Sequence, residues 1–374
     1  MDKQKNRIKS DVKVARIKAY SIYLFLSLFL FLSTNIYLNS SEIWEILTSN
    51  NTAPGYLRFD ISNDGNFFLV DNNGDIVYQD SSLYGSNRSF YKLLKNGYWS
   101  TFSIENEVKI YNDNFSLVGQ ISVNPNLRID AHDIESLTNG HYLLLCTEPR
   151  RIDMSKIVEG GQTDAEVSGV VLVEVDINSN VYWIWNSFDY LNITDVTEDI
   201  DLTQSIIDFT HANAVAEDLD GNILVSIRHF DEIIKIDKQT HRIMWRLGGS
   251  ASKNNDFEFV NDTENDFYGF SHQHAINVLP NGHLLMFDNG NLKPVQFSRA
   301  VEYEIDTTNK TCRLVWDYRE APDIFFGNMG NAQRLPNGNT LINWGNGRIM
   351  EVREDHSKAF DLRLKINMPI YRAF

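Results

Sequence analysis

Leu137-Thr138-Asn139-Gly140-His141-Tyr142-Leu143-Leu144-Leu145 sets a polar turn directly against an apolar run, and the pattern returns three more times along the chain. It recurs as Leu219-Asp220-Gly221-Asn222-Ile223-Leu224-Val225, as Leu279-Pro280-Asn281-Gly282-His283-Leu284-Leu285-Met286-Phe287, and as Leu335-Pro336-Asn337-Gly338-Asn339-Thr340-Leu341-Ile342. Weaker copies surround Gly65 and Gly97. An Asn-Gly or Asp-Gly pair tolerates the positive φ of a tight hairpin turn, and the apolar run after it reads as a buried strand. Each copy therefore predicts a β-hairpin.

A second hairpin follows the later copies. Ile233-Ile234-Lys235-Ile236-Asp237, a polar turn and Arg242-Ile243-Met244-Trp245-Arg246 have counterparts at Val170–Asp176 with Val181–Trp185 and at Ala300–Asp306 with Arg313–Trp316. Two hairpins per repeat make a four-stranded propeller blade, and six glycine turns predict six blades. The expectation is an all-β, six-bladed β-propeller over residues 39–374, closed by pairing the two ends of the chain in one blade. Apolar residues at 43% and aromatics at 12% suffice for one large core. Arg150–Ser168, Asn186–Asp208 and Gly248–Phe270 read as long loops, which in a compact fold are commonly functional. Trp183, Trp185, Trp245 and Trp316 recur on outer hairpins and read as packing residues between blades.

The beginning of the chain differs. Residues 1–18 carry Lys3, Lys5, Arg7, Lys9, Lys13, Arg16 and Lys18, and residues 19–38 are uncharged and largely apolar. About 20 such residues span the hydrocarbon core of a bilayer, and a basic flank favours the cytoplasmic side. The sequence predicts one N-terminal transmembrane helix, an uncleaved signal anchor, with the propeller extracytoplasmic, periplasmic or extracellular. Cleavage near Ser40–Ser41, which would release a secreted propeller, is the alternative. The formal net charge of −16 is carried by the propeller despite the basic leader, which argues against nucleic-acid binding. Cys146 and Cys312 are far apart in sequence and read as two buried thiols rather than a metal knuckle or a local disulfide.

Histidines mark the candidate site. His132, His211 and His274 each stand just upstream of a repeat glycine, with the same eight-residue spacing from His132 to Gly140 and from His274 to Gly282. At corresponding positions of a radial repeat they would converge on the axis. His141 and His283 follow turn glycines and read as surface residues, and His241 and His356 sit in polar turns and read as exposed.

The stretches around these residues are Asp130-Ala131-His132-Asp133, Asp208-Phe209-Thr210-His211-Ala212-Asn213, Ser226-Ile227-Arg228-His229, Trp245-Arg246-Leu247-Gly248-Gly249 and Phe270-Ser271-His272-Gln273-His274-Ala275, the last leading to Phe287-Asp288-Asn289-Gly290. With Ser298–Tyr303 after them, in this order between about Arg128 and Gly347, they resemble the arylsulfotransferase family, bacterial six-bladed propellers that need no nucleotide sulfate donor. The resemblance implies sulfuryl transfer from an aryl sulfate to a phenol, without a cofactor or metal. It makes His274 the residue that takes the sulfuryl group, His211, Asn213 and Arg228 the residues around the sulfate oxygens, and His132 a further active-site histidine. The chemistry asks for these types: a neutral imidazole is a nucleophile near neutral pH, and a forked guanidinium and an amide donate to peripheral oxygens. His132 or His211 is the candidate proton donor to the leaving phenolate.

Two departures from the family pattern bear on the site. Ala275 stands where many relatives carry an acidic residue, and a second histidine, His272, precedes His274 by two positions. On an extended strand both would face one side, leaving His272 as an alternative nucleophile, although the repeat spacing favours His274. The N-terminal accessory sandwich of some relatives has no room before the first glycine turn, which leaves the oligomeric state open. Two other readings fit the same residues. Three converging imidazoles could hold a divalent cation in a hydrolase or lyase, against which the charge of Arg228 argues. A propeller could also bind a partner through its rim loops without catalysis.

Overall fold

The computed structural model describes residues 40–62, 66–80, 92–103 and 105–374. The predicted basic leader, the predicted anchor at 19–38 and the turn at Gly65 lie outside the described residues. The chain divides into a unit of residues 1–42 and a unit of residues 43–374. Among the described residues no helix is long and apolar enough to cross a membrane.

The second unit is an all-β propeller of six blade sheets, with a further two-stranded sheet of Thr263–Glu264 and Phe267–Tyr268. Blade one joins Leu57–Ile61, Asn66–Val70 and Ile76–Asp80 to the C-terminal strand Ile370–Ala373, which takes the innermost place. Blade two comprises Lys92–Leu93, Trp99–Ser103, Glu107–Tyr111 and Leu117–Ser122, and blade three Arg128–Ser136, Tyr142–Ile152, Ala165–Val175 and Val181–Asn186. Blade four comprises Ala212–Glu217, Ile223–Ile227, Glu232–Ile236 and Ile243–Gly248, and blade five His274–Val278, Leu284–Asp288, Arg299–Asp306 and Thr311–Tyr318. Blade six comprises Asn331–Arg334, Thr340–Asn343, Arg348–Val352 and Lys358–Leu364, with Trp44–Ser49 added at its outer edge. The two ends of this unit thus close the ring at two neighbouring blades, which leaves fewer exposed strand edges.

The repeat turns at Gly97, Gly140, Gly221, Gly282 and Gly338 link the first and second strands of their blades, whereas Gly65 falls between the second and third strands of blade one because the C-terminal strand takes the innermost place. Gly140, Gly221, Gly282 and Gly338 have φ between +80° and +88°, and a Cβ there would meet little or nothing, so backbone conformation rather than space requires glycine. The turn differs from the two-residue type the Asn-Gly pair predicts. Gly140 N–H donates to Leu137 O at 3.0 Å and Leu137 N–H to His141 O at 2.8 Å, so only the glycine is left-handed. The Asn139 side chain instead accepts the His141 N–H at 3.0 Å, an Asx turn repeated by Asp220, Asn281 and Asn337.

The core lies in layers between blades. One apolar cluster joins blades three and four through Leu143, Trp185, Val225 and Phe230, others join two with three, four with five, five with six and six with one, and Phe67 meets Trp99 between blades one and two. Second strands are covered on both faces, and every residue of Ile223–Ile227 is buried. That is why these strands read as continuous apolar runs rather than alternating ones. The outer strand Val181–Asn186 does alternate, turning Trp183 and Trp185 inward, where both meet His241 of blade four. Trp316 meets His356 of blade six in the same way.

Four sequence expectations need correction. Much of Arg150–Ser168 is an extension of the blade-three hairpin, with Arg150 paired to Val167 and Ile152 to Ala165, because the alternation at Ala165–Ser168 continues the strand. His141 and His283 are not simple surface residues: each is half-buried, with Nδ1 2.7 Å from Glu174 and Glu302 respectively. His241 is half-buried against Trp183. His272 and His274 do not lie on one extended strand, since His272 has φ +53° and Ala275 φ +57°. Cys146 and Cys312 are free and buried, as expected, and burial pushes both thiols up.

Candidate active site

The innermost strands of blades three, four and five are each interrupted where the histidines stand. Ile134 pairs with Leu144 and Ile129 with Cys146, so Asp130-Ala131-His132-Asp133 bulges out of the ladder. Register shifts also fall between Ala212 and Ala214 and between His274 and Asn277. Bulges turn side chains out of the sheet, and here they carry the histidines together: the His132 ring centroid lies 5.0 Å from that of His211 and 6.3 Å from that of His274.

His274 forms the floor. Only 3% of the residue is exposed, and its Nδ1 lies 2.7 Å from the carbonyl oxygen of Gly330, at the entry to blade six. A carbonyl only accepts, so Nδ1 carries the proton and Nε2 keeps its lone pair. Burial, then the charges of Arg372 and His132, hold its pKa well below the ordinary histidine value. With a backbone carbonyl orienting the ring, the acidic neighbour that Ala275 replaces is dispensable for that purpose.

His132 and His211 stand above it, more open to solvent. Asp130 accepts the His132 N–H at 2.9 Å and makes a very short contact with Nδ1. Burial opposes the imidazolium there, but the Asp130 carboxylate outweighs it and raises the pKa. Asp208 holds His211 by the same two contacts, accepting its N–H at 2.9 Å and facing Nδ1 at 2.8 Å. His211 adopts φ +43°, a strained backbone held by that carboxylate.

Arg228 occupies a 3₁₀ turn, Arg228–Phe230, after the second strand of blade four. One terminal nitrogen donates to Gly327 O at 3.0 Å, which leaves most of its donors unspent. Asn213 is fully buried, and its amide donates to Gln273 O at 2.7 Å, so it fixes the backbone next to His274. Among the described residues its Oδ1 has no hydrogen-bond partner. His272 is 1% exposed and set apart from the triad, between Asp231 and Asp199.

Several residues at the site escaped the sequence reading. His229 stacks on His211 at 4.7 Å with 24° between the rings and donates from Nδ1 toward Asp208 O at 2.7 Å; burial and the charge of His211 push it down to about 4. Tyr371 packs edge-on to His274 at 5.4 Å and donates to His132 O at 3.1 Å. Arg372 pairs with Asp133 at 3.1 Å and donates to Asn213 O at 2.7 Å. The Asp-x-His and Asp-x-x-His spacings were available as a signal for Asp130 and Asp208. Nothing local marks Tyr371 or Arg372, because only ring closure brings the last strand to the axis.

Asp208, His211 and His229 bring a carboxylate oxygen and two imidazole nitrogens within 4.8 Å of one another. Their geometry suits a metal poorly. The two rings are nearly parallel, so their in-plane lone pairs run side by side instead of converging, and both Nδ1 atoms already face Asp208.

The Arylsulfotransferase (ASST) family model matches residues 22–372. The chain belongs to the arylsulfotransferase family. No curated protein matches it closely enough to add a named relative. Among solved structures, a Bacteroides caccae protein of unknown function is 13% identical, covering 86% of this chain and 98% of its own, with a TM-score of 0.55; this likeness shows the fold. A streptogramin B lyase structure is 12% identical, covering 89% and 86%, with a TM-score of 0.46. As an arylsulfotransferase, the chain works on a small-molecule sulfate donor and acceptor.

Proposed function

We propose that the protein moves a sulfuryl group from an aryl sulfate to a phenol in two steps through a sulfohistidine at His274. Nε2 of the neutral ring attacks sulfur, an N–S bond forms, and the S–O bond to the aryl group breaks. The departing phenolate takes a proton from His132, which Asp130 keeps charged. In the second step the acceptor phenol gives its proton to His132 and its oxygen attacks sulfur, and the N–S bond breaks to return His274. Arg228 faces the peripheral sulfate oxygens, and His211, oriented by Asp208, donates to them.

The observation that carries this reading is the His274 to Gly330 hydrogen bond, at 2.7 Å on a buried ring, which supplies an aimed lone pair without a charge. A cation at Arg228 favours the sulfate while contributing no nucleophile of its own. The test is a chromogenic aryl sulfate offered with and without a second phenol. Phenol release that accelerates with acceptor, with the sulfate recovered on that acceptor, is expected. Release of free inorganic sulfate at an acceptor-independent rate would instead indicate a hydrolase.

We also propose that residues 1–18 stay in the cytoplasm, that 19–38 is an uncleaved anchor, and that the propeller works outside the membrane. Protease added to intact cells should then degrade the propeller, and the membrane fraction should retain the full-length chain.

A further inference from the structure

His272 and His229 are both near the site and unused by the two-step reaction, and the surroundings of His272 are the more unusual. His272 is 1% exposed, its Nδ1 lies 3.0 Å from Asp231 Oδ1, and its Nε2 lies 3.1 Å from Asp199 Oδ2. Its backbone N–H also donates to Asp231 at 2.7 Å, and Ser271 Oγ lies 3.3 Å from Nδ1. Both carboxylates of the ring are close charge contacts rather than aligned hydrogen bonds, since among the described residues Nε2 has no hydrogen-bond partner; a neutral ring would still set a lone pair near one carboxylate, whereas an imidazolium is attracted to both.

These carboxylates belong to the environment of Arg228. Asp231 ends the 3₁₀ turn that carries Arg228, its N–H donating to Arg228 O at 3.1 Å, and it is fully buried with φ +54°. Asp231, Asp199 and Asp208 are the carboxylates whose charges act on the Arg228 guanidinium. Asp208 is already answered by His211. Asp199 comes from the long connection between blades three and four, where Thr197 Oγ donates to it at 2.7 Å and Thr197 N–H ties the segment to His229 O at 2.8 Å. The other charged or titratable groups near His272 are Arg228 and His229, the latter with its ring centroid 6.4 Å away.

We propose that His272 is a positioning residue: as an imidazolium between Asp199 and Asp231, it offsets one of the two carboxylate charges beside Arg228 and leaves more of that guanidinium's charge to the sulfate of the donor. The inference rests on the reading of Arg228 as the sulfate-binding cation. Without the His272 charge, Arg228 would face two uncompensated carboxylates and turn toward them instead of the donor. Burial disfavours the charged ring, yet the Asp199 and Asp231 contacts prevail and raise its pKa.

The experiment compares donor KM and kcat, over pH, for the full-length wild type, His272→Gln, Asp199→Asn and the double variant. His272→Gln should raise donor KM about tenfold or more, within the range of coupling between neighbouring charged groups, and should change kcat less. It should still acquire a sulfuryl group on His274. The double variant should recover much of the lost affinity, because removing one carboxylate charge returns the net charge beside Arg228 to its wild-type value. An unchanged KM in His272→Gln, or a double variant no better than the single, would overturn the proposal. Asp199→Asn alters a partly exposed side chain and provides a second reading if His272→Gln does not fold. With one partner lost, the rise of donor KM at alkaline pH should move to lower pH, and an unmoved profile would contradict the proposal. If the wild type turns over no aryl sulfate, the functional reading fails separately. The His272 ring resonances then decide the charge state: titration above the ordinary range in wild type and lower in Asp199→Asn is expected, and a ring neutral near pH 7 in wild type would overturn the clasp.

Discussion

His274 and Gly330 meet across the junction of blades five and six, with Nδ1 of the ring 2.7 Å from the carbonyl oxygen. This bond fixes the tautomer, aims Nε2 at the axis and depends on the packing of two blades rather than on any neighbouring acid. The bond itself favours the charged ring, and it is burial with the charges of Arg372 and His132 that keeps His274 neutral.

Arg228→Lys keeps one charge and loses the planar fork. Removing one donor from a site of this kind costs about 10²–10³ in turnover, and the variant should lose at least that with a higher donor KM. Steady-state kinetics on an aryl sulfate check it.

The pH profile of kcat/KM should be a bell with widely separated limbs. His274 must be neutral, and its pKa is depressed by burial and by Arg372 and His132, so activity falls on acidification only below the ordinary histidine range. His132 must be protonated to serve the leaving group, and Asp130 raises its pKa against burial, so activity falls as pH rises through that elevated value. Asp130→Asn removes the support and should move the alkaline limb to lower pH while leaving the acidic limb nearly in place.

Much of this arrangement could be read before the fold was known. The turns at Gly97, Gly140, Gly221, Gly282 and Gly338 located five blades because a left-handed residue followed by a covered strand is a local requirement; Gly65 falls between the second and third strands of blade one, whose innermost strand comes from the other end of the chain. The eight-residue spacing chose His274 over His272, and the left-handed backbone at His272 and Ala275 explains why strand alternation could not decide between them. Asn213 illustrates the limit: its residue type suggested a sulfate donor, but its amide donates to Gln273 O, a partner 60 residues away. Tyr371 and Arg372 were invisible for the same reason, since their position at the axis is a property of ring closure. The extension of the blade-three hairpin through Pro149 and Ser168 was hidden by charged residues that suggested a loop.

Arg372→Leu should be destabilising as well as harmful to activity. Its side chain is 4% exposed, that of Asp133 3%, and they pair at 3.1 Å where the last strand closes the ring. Breaking a buried pair on one side costs about 3–5 kcal/mol, an upper range here because Lys92 also pairs with Asp133 at 2.7 Å. Urea unfolding followed by tryptophan fluorescence should show a lower midpoint, and removing Lys92 as well should lower it further.

Chelation should leave the activity unchanged. The near-parallel His211 and His229 rings and the adjacent Arg228 make a poor cation site, so turnover after dialysis against a chelator should match the untreated enzyme. Loss of activity that a divalent cation restores would favour metal-assisted chemistry.

If His274 carries the sulfuryl group between donor and acceptor, intact-mass measurement after mixing the protein with an aryl sulfate and no acceptor should reveal it. One added sulfuryl group is expected that maps to His274, disappears on addition of a phenol, persists in His272→Gln and is absent from His274→Ala. A sulfuryl group retained by His274→Ala, or sulfate transfer by the wild type with no adduct formed under rapid quenching, would contradict this role of His274.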